Sequence, residues 1–168
     1  MRNRVLGLIV LWVFLCPPGL AATSNGAEEA IGAVLDTFHS AASEADGELY
    51  FGLFTDDAVF IGTDVTERWS IGQFKAFAEP YFSKGQGWTY VPGERHVDIL
   101  PGEGTAQFDE ILSNESYGTC RGAGVLVLTP EGWRISQYCL TIPIPNELAR
   151  DIVRLIKEFE TAQGTEAS

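Results

Sequence analysis

The 168-residue chain has few basic residues. It contains 11 Lys and Arg against 23 Asp and Glu, which gives a formal net charge of −12 at pH 7. No two basic residues are adjacent in the sequence, and they form no basic run. Binding to phosphates requires clustered Lys and Arg, so the composition argues against nucleic acid as a partner. The same acidity opposes docking on an anionic membrane surface.

Histidine and cysteine are also scarce. The two histidines, His39 and His96, stand at unrelated spacing, and the three cysteines form no CxxC pair. Zinc sites need such ligands at close, regular spacing, so the sequence predicts no metal site. It contains no nucleophile-elbow serine and no glycine-rich phosphate loop after a strand. Nothing in it requires an organic cofactor.

One long apolar run occurs, at the N-terminus. Val5–Leu15 is unbroken and follows two arginines, but it is shorter than the ~20 residues that a membrane-spanning helix needs. Residues 1–22, which end in small residues, have the pattern of a cleaved signal peptide. We therefore expect export to the periplasm or the exterior, with no stable membrane span after cleavage. Cys16 follows the bulky Leu15 where lipoprotein signals prefer a small residue, which disfavours lipid attachment.

The other two cysteines, Cys120 and Cys139, lie on opposite arms of a predicted hairpin. Cysteine pairs in exported proteins can oxidise. If Leu128 pairs with Trp133, the two cysteines share a face of the sheet and sit diagonally. If the turn contains a bulge at Gly132, their faces differ. The sequence leaves a disulfide and two separate thiols both open.

The hairpin is the best-marked element of the chain. Two apolar-rich runs, Tyr117–Leu128 and Trp133–Ile142, flank the sequence Thr129-Pro130-Glu131-Gly132. Proline pre-sets φ at the second position and glycine can adopt a positive φ at the fourth, so this sequence predicts a turn. Other strands are predicted at residues 58–61, 88–100 and 105–112. The long hairpin predicts the centre of a curved antiparallel sheet.

Four helices are predicted from capping residues and apolar periodicity. They cover residues 25–45, 48–54 and 71–83 and the stretch after Asn146. The second begins after Asp46, and the third begins with a Ser70–Gln73 capping box. The last has apolar residues on one side, namely Ile152, Leu155, Ile156 and Phe159. Segregated helices and strands predict an α+β domain in which helices cover one face of a bent sheet and enclose a cone.

The order of elements and several stretches resemble the SnoaL-like branch of the nuclear transport factor 2 (NTF2) superfamily. The stretches are FTDDAVFIGTDVTERW (Phe54–Trp69), FKAFAEPYF (Phe74–Phe82), GWTYVPGERHV (Gly87–Val97), FDEIL (Phe108–Leu112), YGTCRGAGVL (Tyr117–Leu126) and GWRISQYCLTIPIPNELA (Gly132–Ala149). The resemblance implies a cone-shaped α+β domain over residues 23–162, followed by a polar tail at 163–168. It also implies a homodimer formed through the outer face of the sheet. The superfamily contains isomerases, cyclases, dehydratases and binding domains, so the fold does not fix the function.

Two adjacent carboxylates stand in the middle of a predicted strand. Neighbouring strand residues point to opposite faces, so only one of Asp109 and Glu110 can face the cone. Glu110 shares its parity with the more apolar set, and a carboxylate there could act as a base or proton donor. The structural alternative is a buried acid paired with Arg121, which could equally bind a ligand carboxylate. His39 is either a candidate acid or base, or a helix-boundary residue without such a role.

Further candidates come from a predicted loop and from aromatic residues. The polar loop after the first predicted strand could rim the mouth of a pocket, where Asp64 and Arg68 would orient a ligand and Trp69 would close over it. Alternatively, Asp–Arg pairs within the loop simply hold its shape. Aromatic side chains at strand spacing belong to the core by default, and a few, among them Phe60 and Tyr138, are expected to line the pocket.

Three functions remain open at this point. The first is an exported, dimeric domain that binds a small apolar or amphipathic molecule without transforming it. The second is an enzyme of the isomerase, dehydratase or cyclase type that uses general acid–base chemistry in the cone. The third is a non-catalytic interaction module that works through its dimer face. The richness in aromatic residues, together with the lack of a recognisable catalytic set, favours the first.

Overall fold

Six strands form a single sheet in the computed structural model, which describes residues 24–166. The strands are β1 (Phe54–Ile61), β2 (Arg68–Ser70), β3 (Val91–Ile99), β4 (Thr105–Asn114), β5 (Gly118–Thr129) and β6 (Gly132–Thr141). They lie in the order β2-β1-β6-β5-β4-β3, and β1 runs parallel to β6 while the other neighbours are antiparallel. The predicted signal peptide lies outside the described residues.

Four helices accompany the sheet: α1 (Ser24–Glu44), α2 (Gly47–Gly52), α3 (Ile71–Phe82) and α4 (Ala149–Glu166). The core lies between the first three helices and one face of the sheet. From α1 come Ile31, Leu35 and Phe38, each at most 3% exposed. From the sheet come residues such as Leu126 and Ile135, both fully buried. This arrangement confirms the predicted α+β class.

Local capping explains where two helices begin. The Asp46 carboxylate accepts a hydrogen bond from the Leu49 amide at 3.0 Å, which satisfies a free donor in the first turn of α2. The Ser70–Gln73 capping box at α3 is present in both directions, as predicted. The third helix is thereby fixed directly after a strand that the sequence did not predict. Arg68–Ser70 forms the edge strand β2, where Trp69 pairs with Phe60, within what was predicted as a loop.

The hairpin contains a bulge at a position other than the one considered. Leu128 pairs with Trp133 across the turn and Thr129 pairs with Gly132, so the bulge at Gly132 does not occur. However, the register shifts further along, because Ser136 has no partner between the Val125–Gln137 and Leu126–Ile135 pairs. One extra residue exchanges the two faces of the strand beyond it.

That shift places the cysteines on opposite sides of the sheet. Cys120 is fully buried in the core, whereas Cys139 is partly exposed on the outer face. Both are free thiols. The expectation that a Leu128–Trp133 pair would put them on one face is therefore wrong, and a disulfide between them would require the sheet to be rebuilt.

The fourth helix differs from the other three. Its apolar side chains are not covered, because Leu155, Ile156 and Phe159 are 52%, 47% and 65% exposed. The predicted polar tail is helical as far as Glu166. Among residues 24–166, the helices that pack on the sheet are therefore α1 to α3. Within residues 24–166, no helix is long and apolar enough to cross a membrane.

Candidate ligand-binding site

A cavity of about 240 Å³ lies between β1, β2, the end of β6 and α3. Its lining is dominated by aromatic side chains: Phe60, Trp69, Phe74, Phe77, Trp88, Tyr90 and Tyr117, with Leu140, Gly62, Thr63 and Glu67 completing the wall. Phe77 and Tyr117 are 47% and 54% exposed, so the cavity opens to solvent at their edge. Two larger depressions, of about 620 and 650 Å³, lie along α4 and between α2 and α3. Both are bounded by helices and the loops beside them, without a strand.

The aromatic rings on one wall form a layered stack. The Phe60 and Phe74 ring centroids are 3.8 Å apart, and Trp69 stacks on Phe77 at 5.0 Å and on Phe74 at 5.5 Å. The pairing of β2 with β1 sets Trp69 opposite Phe60, and the capping box then directs Phe74 and Phe77 from α3 onto the same rings. Rings held on three elements in this way form a preorganised apolar surface.

One carboxylate, that of Glu67, lines this aromatic cavity. Its Oε2 accepts a hydrogen bond from the Asp64 amide at 3.2 Å, and a Cβ at position 62 would overlap the same oxygen, so Gly62 makes room for it. Tyr90, also in the wall, has its pKa raised to about 12, chiefly by burial and further by the nearby Cys120, Tyr117 and Glu67 groups. Its phenol therefore stays protonated at neutral pH. The lining contains no Lys or Arg side chain.

A second polar cluster lies in the core behind this cavity. Glu110 is fully buried and accepts three hydrogen bonds. The donors are Arg95 Nε at 2.8 Å, His39 Nε2 at 2.7 Å and the Tyr138 hydroxyl at 3.2 Å. Arg95 also donates through Nη1 to Asp36 at 2.9 Å, and its Nη2 is buried without a partner among the described residues. Glu110 is absent from the cavity wall, and the Tyr138 ring separates it from Phe60.

The pKa values of this cluster follow from its contacts. Burial on its own raises the pKa of Glu110, but the hydrogen bonds and charges of His39 and Arg95 outweigh burial and lower it overall. Burial lowers the pKa of Arg95, and the Glu110 and Asp36 carboxylates more than compensate, so it is raised. Burial and the adjacent Glu110 carboxylate raise the pKa of Tyr138 well above its ordinary value. Glu110 is thus held as a carboxylate and Tyr138 as a neutral phenol.

A glycine in β5 permits this packing. Gly122 pairs with Glu110 in the sheet. A Cβ added there would overlap the Tyr138 hydroxyl and lie 3.1 Å from Glu110 Oε1. The missing side chain lets the phenol lie across the strand and reach the carboxylate. In the other neighbouring strand Arg95 pairs directly with Glu110, which places the guanidinium beside it.

The structure brings together some of the predicted site residues. Glu110 and His39 are hydrogen-bonded to each other inside the core. Phe60 and Trp69 line the cavity. Tyr138 is 2% exposed and lies behind the cavity wall rather than in it. Whether any of these residues takes part in function stays a prediction.

Four other predicted site residues lie outside both the cavity lining and the Glu110 cluster. Asp109 faces the outer side of the sheet, where it borders a separate depression of about 280 Å³. Arg121 is exposed on that outer side and pairs with Ile111 and Thr141, so the proposed partnership with Glu110 is wrong; alternation along β5 turns it away from the core. Asp64 and Arg68 are exposed and outside the cavity lining. The Asp64 carboxylate instead accepts hydrogen bonds from Thr66 within the turn.

Arg95 is the polar residue that sequence reasoning missed. The register of β3 shifts between Pro92 and Arg95, so simple alternation from the start of the strand does not reveal which side chains face the core. The one available signal was the Pro92-Gly93 bend, which predicts a bulge but not the residue that lies opposite Glu110. Among the described residues no group of three or more His, Cys, Asp or Glu could hold a metal ion.

Known proteins resemble this chain in both sequence and fold. The model of the SnoaL-like domain family matches residues 31–145. The chain belongs to this family. The matched region covers β1 to β6 and most of α1, but it ends before α4. No curated protein matches the chain.

Several solved structures have a fold similar to that of this chain. An NTF2-like protein of unknown function from Pseudomonas putida is 12% identical with a TM-score of 0.60, over 76% of this chain and 93% of that one. An NTF2-like protein with a cystatin-like fold from Novosphingobium aromaticivorans is 15% identical with a TM-score of 0.57, over 76% and 89%. A domain of unknown function from Nostoc punctiforme is 18% identical with a TM-score of 0.56, over 83% and 99%. At these identities the likeness establishes the NTF2-like α+β fold alone.

Proposed function

We propose that this SnoaL-like domain binds a small apolar or amphipathic molecule in the aromatic cavity, without transforming it. The observation that carries the proposal is the lining itself: seven aromatic side chains surround about 240 Å³ that opens to solvent. Ligand sites in proteins are typically concave and mostly apolar, with a few placed polar groups. A volume of this size suits a molecule of one or two rings.

An acid–base enzyme is the alternative that the Glu110–His39 contact suggests. A general base must reach the proton that it removes, either directly or through one water. Glu110 is fully buried, lies outside the cavity wall and already accepts three hydrogen bonds. The lowered pKa of Glu110 also makes it a weaker base. These features favour a structural role for Glu110 and so support the binding proposal.

The test compares two variants of one helix. Phe77 and Tyr81 on α3 are both 47% exposed, but only Phe77 lines the cavity. Phe77→Ala should weaken binding of small ring compounds such as indole about tenfold, because roughly 1.4 kcal/mol of apolar contact is lost. Tyr81→Ala removes a ring that lies 5.8 Å from the Phe77 ring but outside the lining, and it should weaken that binding far less. Isothermal titration calorimetry measures both affinities.

The outcomes of this comparison are distinct. Equal weakening by both substitutions would place the bound compound on the surface of α3 and refute the cavity as its site. No detectable binding of one-ring and two-ring compounds to the unmodified chain would remove the binding proposal altogether.

We further propose that the protein is exported and forms a homodimer through the outer face of the sheet. The sequence pattern of residues 1–22 supports export. Ala123, Val125 and Cys139 lie close together and partly exposed on the outer face, with Asp109 paired beside Ala123, and this patch of small and apolar side chains supports the dimer. Native mass spectrometry of the exported fraction tests both at once, because the subunit mass reports cleavage and the complex mass reports the number of copies.

A further inference from the structure

We propose that the ligand of the aromatic cavity is a small organic cation, of the alkylammonium or quaternary ammonium class. This inference rests on the proposed binding function and names the chemistry of the ligand. It follows from three properties of the cavity: its aromatic walls, the carboxylate within them and the lack of any basic side chain in the lining to neutralise that carboxylate.

The walls attract cations. An aromatic ring has a negative face, and a cation within about 6 Å of the ring centroid is drawn to it, most strongly by tryptophan. Two tryptophans, Trp69 and Trp88, and two tyrosines, Tyr90 and Tyr117, contribute to the lining, together with three phenylalanines. Phe60, Trp69, Phe74 and Phe77 stack on one another, so the faces open to a cation are those of rings outside this stack, such as Tyr90 and Tyr117. Aromatic faces of this kind hold quaternary ammonium groups, which cannot donate a conventional hydrogen bond.

Glu67 adds a full negative charge to this cage. Its Oε2 contacts the Asp64 amide, but no hydrogen bond reaches its Oε1 from the described residues. No Lys, Arg or His in the described part of the chain lies within ion-pair distance of it. The Glu67 carboxylate is partly exposed beside apolar rings and has no cationic partner among the described residues, so a ligand cation can pair with it.

Glu110, the carboxylate in the core, differs from Glu67 in having partners. Glu110 lies in the same domain and is matched by Arg95, His39 and Tyr138. The domain therefore neutralises the carboxylate that it buries in the core and leaves unneutralised the one that lines the cavity. The formal net charge of −12 acts in the same direction, because an acidic protein raises the local concentration of cations and repels anions.

Two probes of nearly equal shape test the charge preference. Phenyltrimethylammonium and tert-butylbenzene share a ring and a branched substituent, and only the first is charged. The cation should bind about tenfold more tightly to the purified chain, since it adds cation–π and ion-pair contacts to the same apolar contact. Raising the salt concentration from about 20 mM to about 500 mM should weaken binding of the cation and leave the neutral probe unaffected.

Glu67→Gln isolates the carboxylate. It keeps the shape beside Gly62 and should reduce the affinity for phenyltrimethylammonium about tenfold, without changing the affinity for tert-butylbenzene. The matched control is Glu115→Gln, which removes the same charge from an exposed position outside the cavity lining and should change neither affinity. Should Glu67→Gln fail to fold, the salt dependence of the unmodified chain decides whether the cation preference holds.

The results separate the two proposals. Equal affinity for both probes, with no dependence on Glu67 or salt, overturns the cation preference and leaves the binding function standing. Tighter binding of the neutral probe overturns the preference as well. Binding of neither probe overturns the preference and counts against the proposed function. Preference for the cation that is lost in Glu67→Gln and retained in Glu115→Gln supports both.

Discussion

Replacing Glu110 by glutamine should destabilise the fold substantially while leaving ligand binding intact. The substitution keeps the size of the side chain and removes its charge. The one oxygen of the glutamine can still accept a hydrogen bond from either Arg95 or His39. Its NH2 group replaces the second carboxylate oxygen and therefore places a donor against the other donor. Arg95 would keep Asp36 as its remaining ionic partner.

The magnitude follows from the contacts. Removing one partner of a buried ion pair typically costs about 3–5 kcal/mol, because a charge is left buried and unpaired. The cost here should lie at the lower end of that range, since Arg95 retains Asp36 and the amide retains part of the hydrogen bonding. We therefore expect a loss of about 3 kcal/mol in the free energy of unfolding. For a chain of this size that corresponds to a fall of about 6–12 °C in melting temperature.

The assay is chemical and thermal unfolding of both proteins at neutral pH, with Glu94→Gln as the control. Glu94 lies on β3 and pairs with His96 at 3.3 Å, but both side chains are exposed. That substitution should change the free energy of unfolding by less than about 1 kcal/mol, as exposed pairs do. Titration with phenyltrimethylammonium below the melting temperature should give the same affinity for Glu110→Gln as for the unmodified chain.

The pH dependence supplies a second check. The pKa of Glu110 is lower in the folded chain than in the unfolded one, so its charge stabilises the fold above the ordinary glutamate pKa of about 4.3. That contribution is lost as the pH falls through the lower, folded value. The stability gap between the unmodified chain and Glu110→Gln should therefore be widest near neutral pH and narrow below about pH 4. A gap under about 0.5 kcal/mol at neutral pH would refute the reasoning about the buried cluster.

Two further predictions concern the sheet and the last helix. Thiol labelling of the native protein followed by peptide mapping should modify Cys139 and leave Cys120 unlabelled until unfolding, because only the first is accessible; a peptide disulfide-linked through both residues would contradict the bulge at Ser136. Removal of residues 147–168 should change the free energy of unfolding by less than about 1 kcal/mol, because the apolar side of α4 is exposed; a loss of several kcal/mol would show that α4 packs on the domain.

The parts of the fold that were predictable depend on short-range patterns. The Thr129–Gly132 turn and the Ser70–Gln73 capping box are set by residues three positions apart, and both occur as expected. The inward direction of Glu110 follows from strict alternation within one strand. In each case, residues that are close in sequence determine the local structure without contacts from the rest of the chain.

The parts that were not predictable depend on how strands align. Arg95 reaches Glu110 only because the register of β3 shifts after Pro92. The faces of the two cysteines are decided by an unpaired Ser136, which no turn residue marks. The pattern of α4 indicates an apolar face but does not say what covers it. Strand register, and the choice of which segment packs on an apolar helix face, depend on contacts between distant segments. A single sequence contains no local signal for either.

Glu110 and Glu67 lie in different parts of the domain, and only Glu67 is placed to act on a bound molecule. Glu110 is buried behind the cavity wall and held ionised by Arg95 and His39, so it has neither access to a ligand nor the raised pKa that favours proton transfer at neutral pH. Glu67 has the access. Because it is the one carboxylate in the cavity lining, any acid–base step on a bound molecule would fall to it, as would any selection for positive charge. Glu67→Gln therefore discriminates between the two roles: a binding protein loses affinity for the cation alone, whereas an enzyme loses turnover of a molecule that it still binds.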